Sequence, residues 1–424
     1  MRKFLDKIFF RSNNLDLISK TIIDLTNKTS ADKIFEAINS YSLESEVRYV
    51  GGFVRKILNN EKTDDIDLAT NLEPSQVCES LKKNNIDYFE SGIDHGTITA
   101  IIDDKKFEIT TLRKDISTDG RHAKVDFSKN WKEDASRRDF TINSIYSDKY
   151  GNLFDPYEGK KDLQNGFVNF IGNADTRIKE DYLRILRYLR FFLNYSKQPH
   201  NTNVIRSLKV NIDGISKLSK ERLLDELKKI CRLDIMEKLA KDKLSLELLN
   251  IIFPELKNIK IFSKLNEDKK ALLKEKDFIF FLMLMIVDKT DNTDYFLYKF
   301  NISKKNQKRI KIVDNFYKEK INLNSFTINN MNKVFYYSGK QACLDILGYK
   351  TIFSKKIDNN LEVLSKHFEN IISPVMPVSA DLLMKKYELK EGRELGQKLK
   401  EIEDEWVKNN FKISEKEVEN IINN

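Results

Sequence analysis

The chain has 424 residues, more than one ordinary core serves, so two to four domains are expected. Hydrophobic residues make up 40% and charged residues 33%, and the formal net charge is +9, which fits a soluble protein and suits a polyanionic partner without demonstrating one. Cys78, Cys231 and Cys343 lie far apart with no C-x-x-C pair, which argues against a disulfide framework or a cysteine zinc site, and the longest apolar run, Phe278–Val287, has ten residues, too few to span a bilayer as a helix.

In chain order, the first residues, Met1 to Lys7, lack the uninterrupted apolar stretch of a signal peptide, so a reducing, cytoplasmic setting with no disulfide-linked partner is expected. Val47–Val50, Ile66–Ala69, Thr97–Ile102 and Phe107–Leu112 are rich in β-branched residues and broken by short polar segments, the pattern of strands. Gln76–Asn84 and Ala135–Tyr146 read as helices. From Thr176 onward the chain turns to long, charged amphipathic stretches with few glycines or prolines, and Phe278–Val287 reads as a buried core helix. The expected class is α+β, with a mixed-sheet domain followed by an all-helical remainder. Boundaries are set near 40, 150, 229 and 330, giving an N-terminal extension (1–40), a catalytic unit (41–150) and three helical parts (151–229, 230–330, 331–424).

The richest segment is Val50 to Asp67. Gly51 and Gly52 let backbone amides approach phosphates, and Arg55 adds a forked cationic clamp. About a dozen residues later Asp65 and Asp67 stand at i and i+2 on a strand, hence on one face, where hard cations such as Mg2+ can bridge them. Glu108, inside a strand-like run, is the natural third carboxylate; a solvent-facing strand position is its plain alternative. Phosphate grip beside a metal pair is the apparatus of nucleotidyl transfer.

Two further segments carry polar chemistry. In Arg137-Arg138-Asp139-Phe140-Thr141-Ile142-Asn143, a helix would place Asp139 and Asn143 on one face to meet a ribose, with the arginines at the helix start reaching phosphates; a surface ion pair explains the residues equally well. In Glu180-Asp181-Tyr182-Leu183-Arg184, Asp181 and Arg184 are one helical turn apart, each able to fix the other's rotamer. Together they offer an acceptor–donor edge: arginine donates to cytosine O2/N3 or adenine N1, and aspartate accepts from the exocyclic amino group. Uracil and guanine present a carbonyl there and are rejected. A solvated i,i+3 pair is the alternative. The helical stretch Ser219–Glu226 reads as a capped helix with a charged, solvated face. The four histidines show no metal-ligand spacing.

In this order the segments resemble the class II tRNA nucleotidyltransferase and bacterial poly(A) polymerase family over about residues 45–230. The matching pieces are Gly51–Arg55, Asp65–Thr70, His95–Thr99, Phe107–Arg113, Asp119–Ala123, Arg137–Asn143, Asp155–Leu163, Glu180–Phe191 and Ser219–Leu227. The resemblance implies a crescent of head, neck, body and tail, with the catalytic sheet in the head. It implies two Mg2+ ions, with Asp65 and Asp67 as metal ligands and Glu108 as a possible third catalytic carboxylate. Gly51, Gly52, Arg55 and Arg138 would hold the triphosphate, Asp139 and Asn143 the ribose, Asp181 and Arg184 the base, with Arg187 and Arg190 in support. Residues 113–130, including Asp119–Ala123, would form the loop that the family links to switching from C to A addition. Lys56 departs from the family, which often carries aspartate there. The implied activity is CCA addition to tRNA from CTP and ATP; poly(A) synthesis, CC-only or A-only addition, and an inactive RNA-binding protein are the rivals.

Overall fold

In the computed structural model, residues 17–423 are described except 64, 118–123, 320, 322, 356–357 and 373. The expected Asp119–Ala123 loop therefore lies outside the described residues. Strands form where β-branched and aromatic residues alternate with polar ones: Thr97–Ile102 buries every second residue, which turns Ile98, Ala100 and Ile102 to one face.

In order, the first unit contains helix α1 (17–29), α2 (Asp32–Asn39), β1 (Val47–Val50), α3 (Gly52–Leu58), β2 (Ile66–Thr70), α4 (Pro74–Lys83), β3 (Asp87–Gly92), β4 (Thr97–Ile102), β5 (Lys105–Thr111), β6 (Arg113–Ser117), β7 (Lys124–Phe127), α5 (Trp131–Ser136), β8 (Tyr146–Ser147), β9 (Leu153–Phe154), α6 (Gly159–Asn165), α7 (Ala174–Glu180), α8 (Arg184–Tyr195), α9 (Thr202–Val210) and α10 (Lys220–Ile230). Seven strands make one sheet in the order β3-β4-β5-β2-β1-β8-β9, and β6-β7 form a separate ribbon. β2 and β5 pair in parallel, while the other pairs are antiparallel.

One face of this sheet carries a large core in which Tyr49, Leu68, Ile98, Phe107 and Ile109 pack with Phe35, Phe53 and Leu81 of the covering helices. The other face carries a small cluster of Val50, Ala69, Leu112, Ala135 and Tyr146. Asp67 and Glu108 alternate onto that second face. A slip of one residue in either strand would bury the carboxylate and expose a leucine or a phenylalanine, so the apolar pattern fixes their position.

The expected strands Val47–Val50 and Thr97–Ile102 are present with the same ends, and the other two strands and the Gln76–Asn84 helix with ends moved by one or two residues. The expected helix Ala135–Tyr146 is not. α5 ends at Ser136, Phe140 is extended, Thr141–Asn143 is a single 3-10 turn, and Tyr146 begins a strand. The reason is local. Asp139 uses its own carboxylate to hold the Phe140 amide at 2.9 Å, and Phe140 bridges to Phe170, so the chain turns out of the helix to pair elsewhere. Arg137 and Arg138 thus sit at the end of a helix rather than at its start.

The chain divides into two compact units after Leu223, inside α10. Among the described residues the second unit is helical without strands. Its central helix, Phe278–Ile286, is capped by the Asp277 carboxylate and buried from Ile279 to Ile286. Arg309 spans Asp277 and the buried Asp345. Among the described residues no helix is long and apolar enough to cross a membrane.

Candidate active site

β1 ends at Val50 and the chain reverses through Gly51, whose φ of +63° is costly for any side chain. A Cβ there would also stand 3.2 Å from an Arg138 Nη1, and one on Gly52 would stand 3.8 Å from Asp67 Oδ2 and 3.9 Å from Arg55 Nη2. The two glycines therefore mark the point where backbone, carboxylate and two guanidiniums converge. α3 starts there.

Asp67 lies in β2 in register with Glu108 of β5, and Asp65 precedes the same strand two residues earlier. Asp65 is open to solvent, its side chain 91% exposed, with the Lys56 ammonium at 4.0 Å. Glu108 is exposed too, and Asp67 is half-buried. Burial and the Glu108 carboxylate push the Asp67 carboxyl above the usual range against the pull of Arg138, with Asp65 adding to the rise and Lys56 opposing it. A half-buried carboxyl among like charges is a site that a hard cation relieves, so the donor set fits a divalent metal.

Behind this site stands a lattice of arginines and carboxylates. Asp134 is buried and accepts from Arg137 at 2.7 Å, Arg138 at 3.2 Å, the Tyr146 hydroxyl at 2.6 Å and the Arg113 amide at 3.3 Å. Burial alone would raise its carboxyl, but Arg138 and Arg137 with the Tyr146 bond outweigh it and hold it down to about 2. The same contacts raise Arg138, which stays cationic. Arg138 also lies against the Tyr146 ring at 5.3 Å.

Asp139 and Asn143 do come together, through the 3-10 turn instead of a helix. Asn143 Nδ2 donates to Asp139 Oδ1 at 2.8 Å, and Arg55 Nη1 donates to Asn143 Oδ1. Arg187 of α8 closes on Asp139 Oδ2 at 2.6 Å. Burial pushes the Asp139 carboxyl up, yet Arg187 and the Asn143 and Phe140 bonds hold it at about 2. The result is a relay from α3 to α8: Arg55, Asn143, Asp139, Arg187.

Asp181 and Arg184 are not paired as expected. Asp181 sits in extended backbone at the end of α7, where the chain breaks before α8, so its carboxylate turns to Arg222 of α10 at 2.8 Å and to the Leu183 amide at 3.1 Å. Arg184 donates to Glu180 at 2.6 Å and to the Arg177 carbonyl at 2.7 Å. Each is fixed by its own neighbours. Arg177 in turn donates to the carbonyls of Arg137 and Arg138. Arg190 lies over the Phe191 ring at 4.1 Å.

Sequence reasoning passed over Asp134, Arg177, Glu180 and Arg222. The Ser219–Glu226 helix was read as solvated, but its Arg222 is the partner of Asp181. No pattern on one helix reveals a partner forty residues away. Asp134, by contrast, stood three and four residues before Arg137 and Arg138, a spacing that could have been read.

Residues 47–169 match the family model described as the Poly A polymerase head domain. The mouse protein named CCA tRNA nucleotidyltransferase 1, mitochondrial, is 32% identical over 388 residues, covering 88% of this chain and 85% of its own. The chain belongs to the CCA-adding tRNA nucleotidyltransferase family. A CCA-adding enzyme from Staphylococcus haemolyticus is 31% identical over 348 residues, 81% of each chain. The fold is that of the Bacillus stearothermophilus CCA-adding enzyme solved with CTP, at a TM-score of 0.73 with 21% identity, covering 92% of this chain and 95% of that one.

Proposed function

We propose that this CCA-adding family member extends tRNA 3′ ends with C, C and A from CTP and ATP, choosing the bases with protein side chains and no nucleic-acid template. The observation that carries the reading is the convergence at Gly51-Gly52: a Cβ on Gly52 would meet the Asp67 carboxylate and the Arg55 guanidinium within 4 Å, and one on Gly51 would meet the Arg138 guanidinium at 3.2 Å. Nucleotidyl transfer needs those two things side by side, a cation site at the reacting phosphorus and a cationic grip on the departing pyrophosphate.

Asp65 and Asp67 are the residues assigned to hold Mg2+, in two ions; Glu108 stands in register with Asp67 on the neighbouring strand, but among the described residues the three carboxylates do not form one metal-holding group. Bound there, the metal lowers the pKa of the RNA 3′-hydroxyl and neutralises charge on the leaving pyrophosphate. Gly51 and Gly52 bring backbone to the phosphates, and Arg55 and Arg138 neutralise them. The ribose is assigned to Asp139 and Asn143, whose side chains are held in place by Arg187, Arg55 and each other. Asp181 and Arg184 are assigned to the base edge, with Arg187 and Arg190 holding the nucleotide beside them. Because Asp181 and Arg184 have separate supports, the edge is assembled from two side, through α10 and α7.

Residues 41–150 are proposed as the catalytic head and 151–229 as the neck that reads the nucleotide. Residues 230–330 and 331–424 are proposed as body and tail, whose lysines hold the tRNA by its backbone, as expected where an A-form major groove is unreadable. The boundary at residue 40 moves forward, because Ile22 of α1 and Ile34, Phe35 and Ile38 of α2 belong to the core of the head. With three free thiols, a reducing compartment suits the chain, and the cytoplasm is the one proposed.

The test is to sequence the products made from tRNA that ends before CCA, with CTP, ATP or both supplied. CCA made only with both nucleotides is expected. Runs of A from ATP alone would give the chain to poly(A) synthesis, and a stop at CC or a requirement for a preformed CC end would make it a partial enzyme.

A further inference from the structure

We propose that Phe191 is a positioning residue for the nucleotide, its ring gathering Arg55, Arg187 and Arg190 into one cationic wall before substrate arrives. This rests on the reading above that these arginines meet the nucleotide. Phe191 lies in α8 and is 2% exposed. Three guanidinium carbons stand around its ring, Arg190 at 4.1 Å, Arg55 at 4.8 Å and Arg187 at 5.5 Å from the centroid.

Three like charges this close repel one another, the more so where water is scarce. An aromatic ring offers them a negative face, and guanidinium is the cation that stacks on it most readily because it is planar and weakly hydrated. The ring cannot drift. Phe140 meets it edge-on at 5.3 Å and Tyr195 stacks at 6.1 Å. Tyr195 also lies 5.0 Å from the Arg55 guanidinium.

The ring closes the relay described above. Arg55 and Arg187 are its two ends, joined on one side through Asn143 and Asp139 and on the other across Phe191. One arginine comes from the phosphate-binding helix of the head and the other from α8, so Phe191 sets the distance between the grip on the phosphates and the helix that carries the base reader. Cations held ready in this way lose little freedom when an anion binds, which favours nucleotide affinity over the chemical step.

The test replaces Phe191 with trifluoro- and pentafluorophenylalanine, which keep the ring's shape and apolar character while draining its π-face, alongside Phe191→Leu. Steady-state KM for CTP and ATP, kcat, and tRNA affinity are measured in the full chain. KM for both nucleotides is expected to rise stepwise with fluorination, to about tenfold in the pentafluoro form, with kcat and tRNA affinity within about twofold. Phe191→Leu is expected to move KM the same way, and the fluorinated series carries the test where the leucine variant folds poorly. KM unchanged across the series overturns the proposal and leaves Phe191 as packing. Arg55→Ala and Arg190→Ala are measured in parallel. If they raise KM while fluorination does not, Phe191 alone is misassigned; if they leave KM unchanged, the nucleotide reading itself falls.

Discussion

On the second face of the sheet Asp67 of β2 lies in register with Glu108 of β5, Asp65 precedes β2 with the Lys56 ammonium 4.0 Å away, and burial and the neighbouring carboxylates raise the Asp67 carboxyl against the pull of Arg138. Around α8 the pattern reverses: Asp134, Asp139, Glu180 and Asp181 each take at least one guanidinium, and the first two are held near the bottom of the carboxylate range. The first region is left electrostatically incomplete, as a place that receives a cation must be. The second is completed in advance, so that its arginines are already aimed. Substitutions in the two regions should therefore separate activity from stability.

The largest expected effect is at the acidic site. Asp65→Ala and Asp67→Asn should each lower nucleotide incorporation by about a thousandfold or more, while tRNA binding stays within about twofold. Asp67→Asn should also raise Tm slightly, because it removes a half-buried charge beside Glu108. Turnover at the parental rate in gel extension assays would sink the metal assignment. A clear fall in Tm would show that Asp67 is a structural group after all. The raised Asp67 carboxyl also predicts that, without metal, this group takes up a proton at a higher pH than an ordinary aspartate.

In the lattice the order reverses, with stability lost first. Asp134→Ala leaves Arg137, Arg138 and the Tyr146 hydroxyl without their shared acceptor and should cost about 3 kcal/mol by denaturant unfolding. Because the Asp134 carboxyl is depressed in the folded state, its contribution is fully present above about pH 4 and disappears as pH falls through about 2. From the shift itself that contribution is about 2 kcal/mol. Asp134→Asn should flatten the stability profile between pH 4 and 2. An unchanged acid limb in urea titrations at stepped pH would reject this.

The same contrast explains what could be read from sequence. The acidic site is written locally: Gly51, Gly52, Arg55, Asp65 and Asp67 fall within seventeen residues, and alternation along β2 turns Asp67 away from the core face of Ile66 and Leu68, while Asp65 precedes the strand. Glu108 needed only a neighbouring strand. The lattice is written across the chain. Asp181 finds Arg222 forty-one residues on, and Arg187 finds Asp139 forty-eight residues back, through contacts that no periodicity announces. The error at Ala135–Tyr146 has the same origin. Helical spacing placed Asp139 beside Asn143 correctly, but the pairing of Phe140 with Phe170 overrode the helix. The short glycine-started helix α3 was hidden because its residues were read only for their phosphate chemistry.

Of intermediate size are the effects on nucleotide choice. Arg184→Ala should relax discrimination against UTP, by about tenfold or more in the ratio of kcat/KM values, since one good hydrogen-bonded contact accounts for that much. Arg222→Ala should do the same more weakly, because Asp181 remains but loses the partner that orients it. The Arg222 variant separates positioning from contact. If UTP stays fully excluded in both variants, Asp181 and Arg184 do not read the base. If Arg222→Ala instead abolishes all incorporation, Arg222 itself touches substrate.

The smallest effect is expected at Lys56. Its ammonium is 4.0 Å from an Asp65 carboxylate that is almost wholly solvated, a distance and an exposure at which an ion pair contributes little. Lys56 also lowers the neighbouring Asp67 carboxyl, though as the weakest of the influences on it. Lys56→Ala should therefore change kcat/KM by no more than about twofold at physiological ionic strength, with any difference shrinking as salt is added. Lys56→Asp adds a negative charge to the acidic site and should shift the metal titration of activity toward lower concentrations. A loss of more than about tenfold in Lys56→Ala would make this lysine part of the phosphate grip, and the acidic site would then be a mixed site that supplies its own cation rather than one left open for metal.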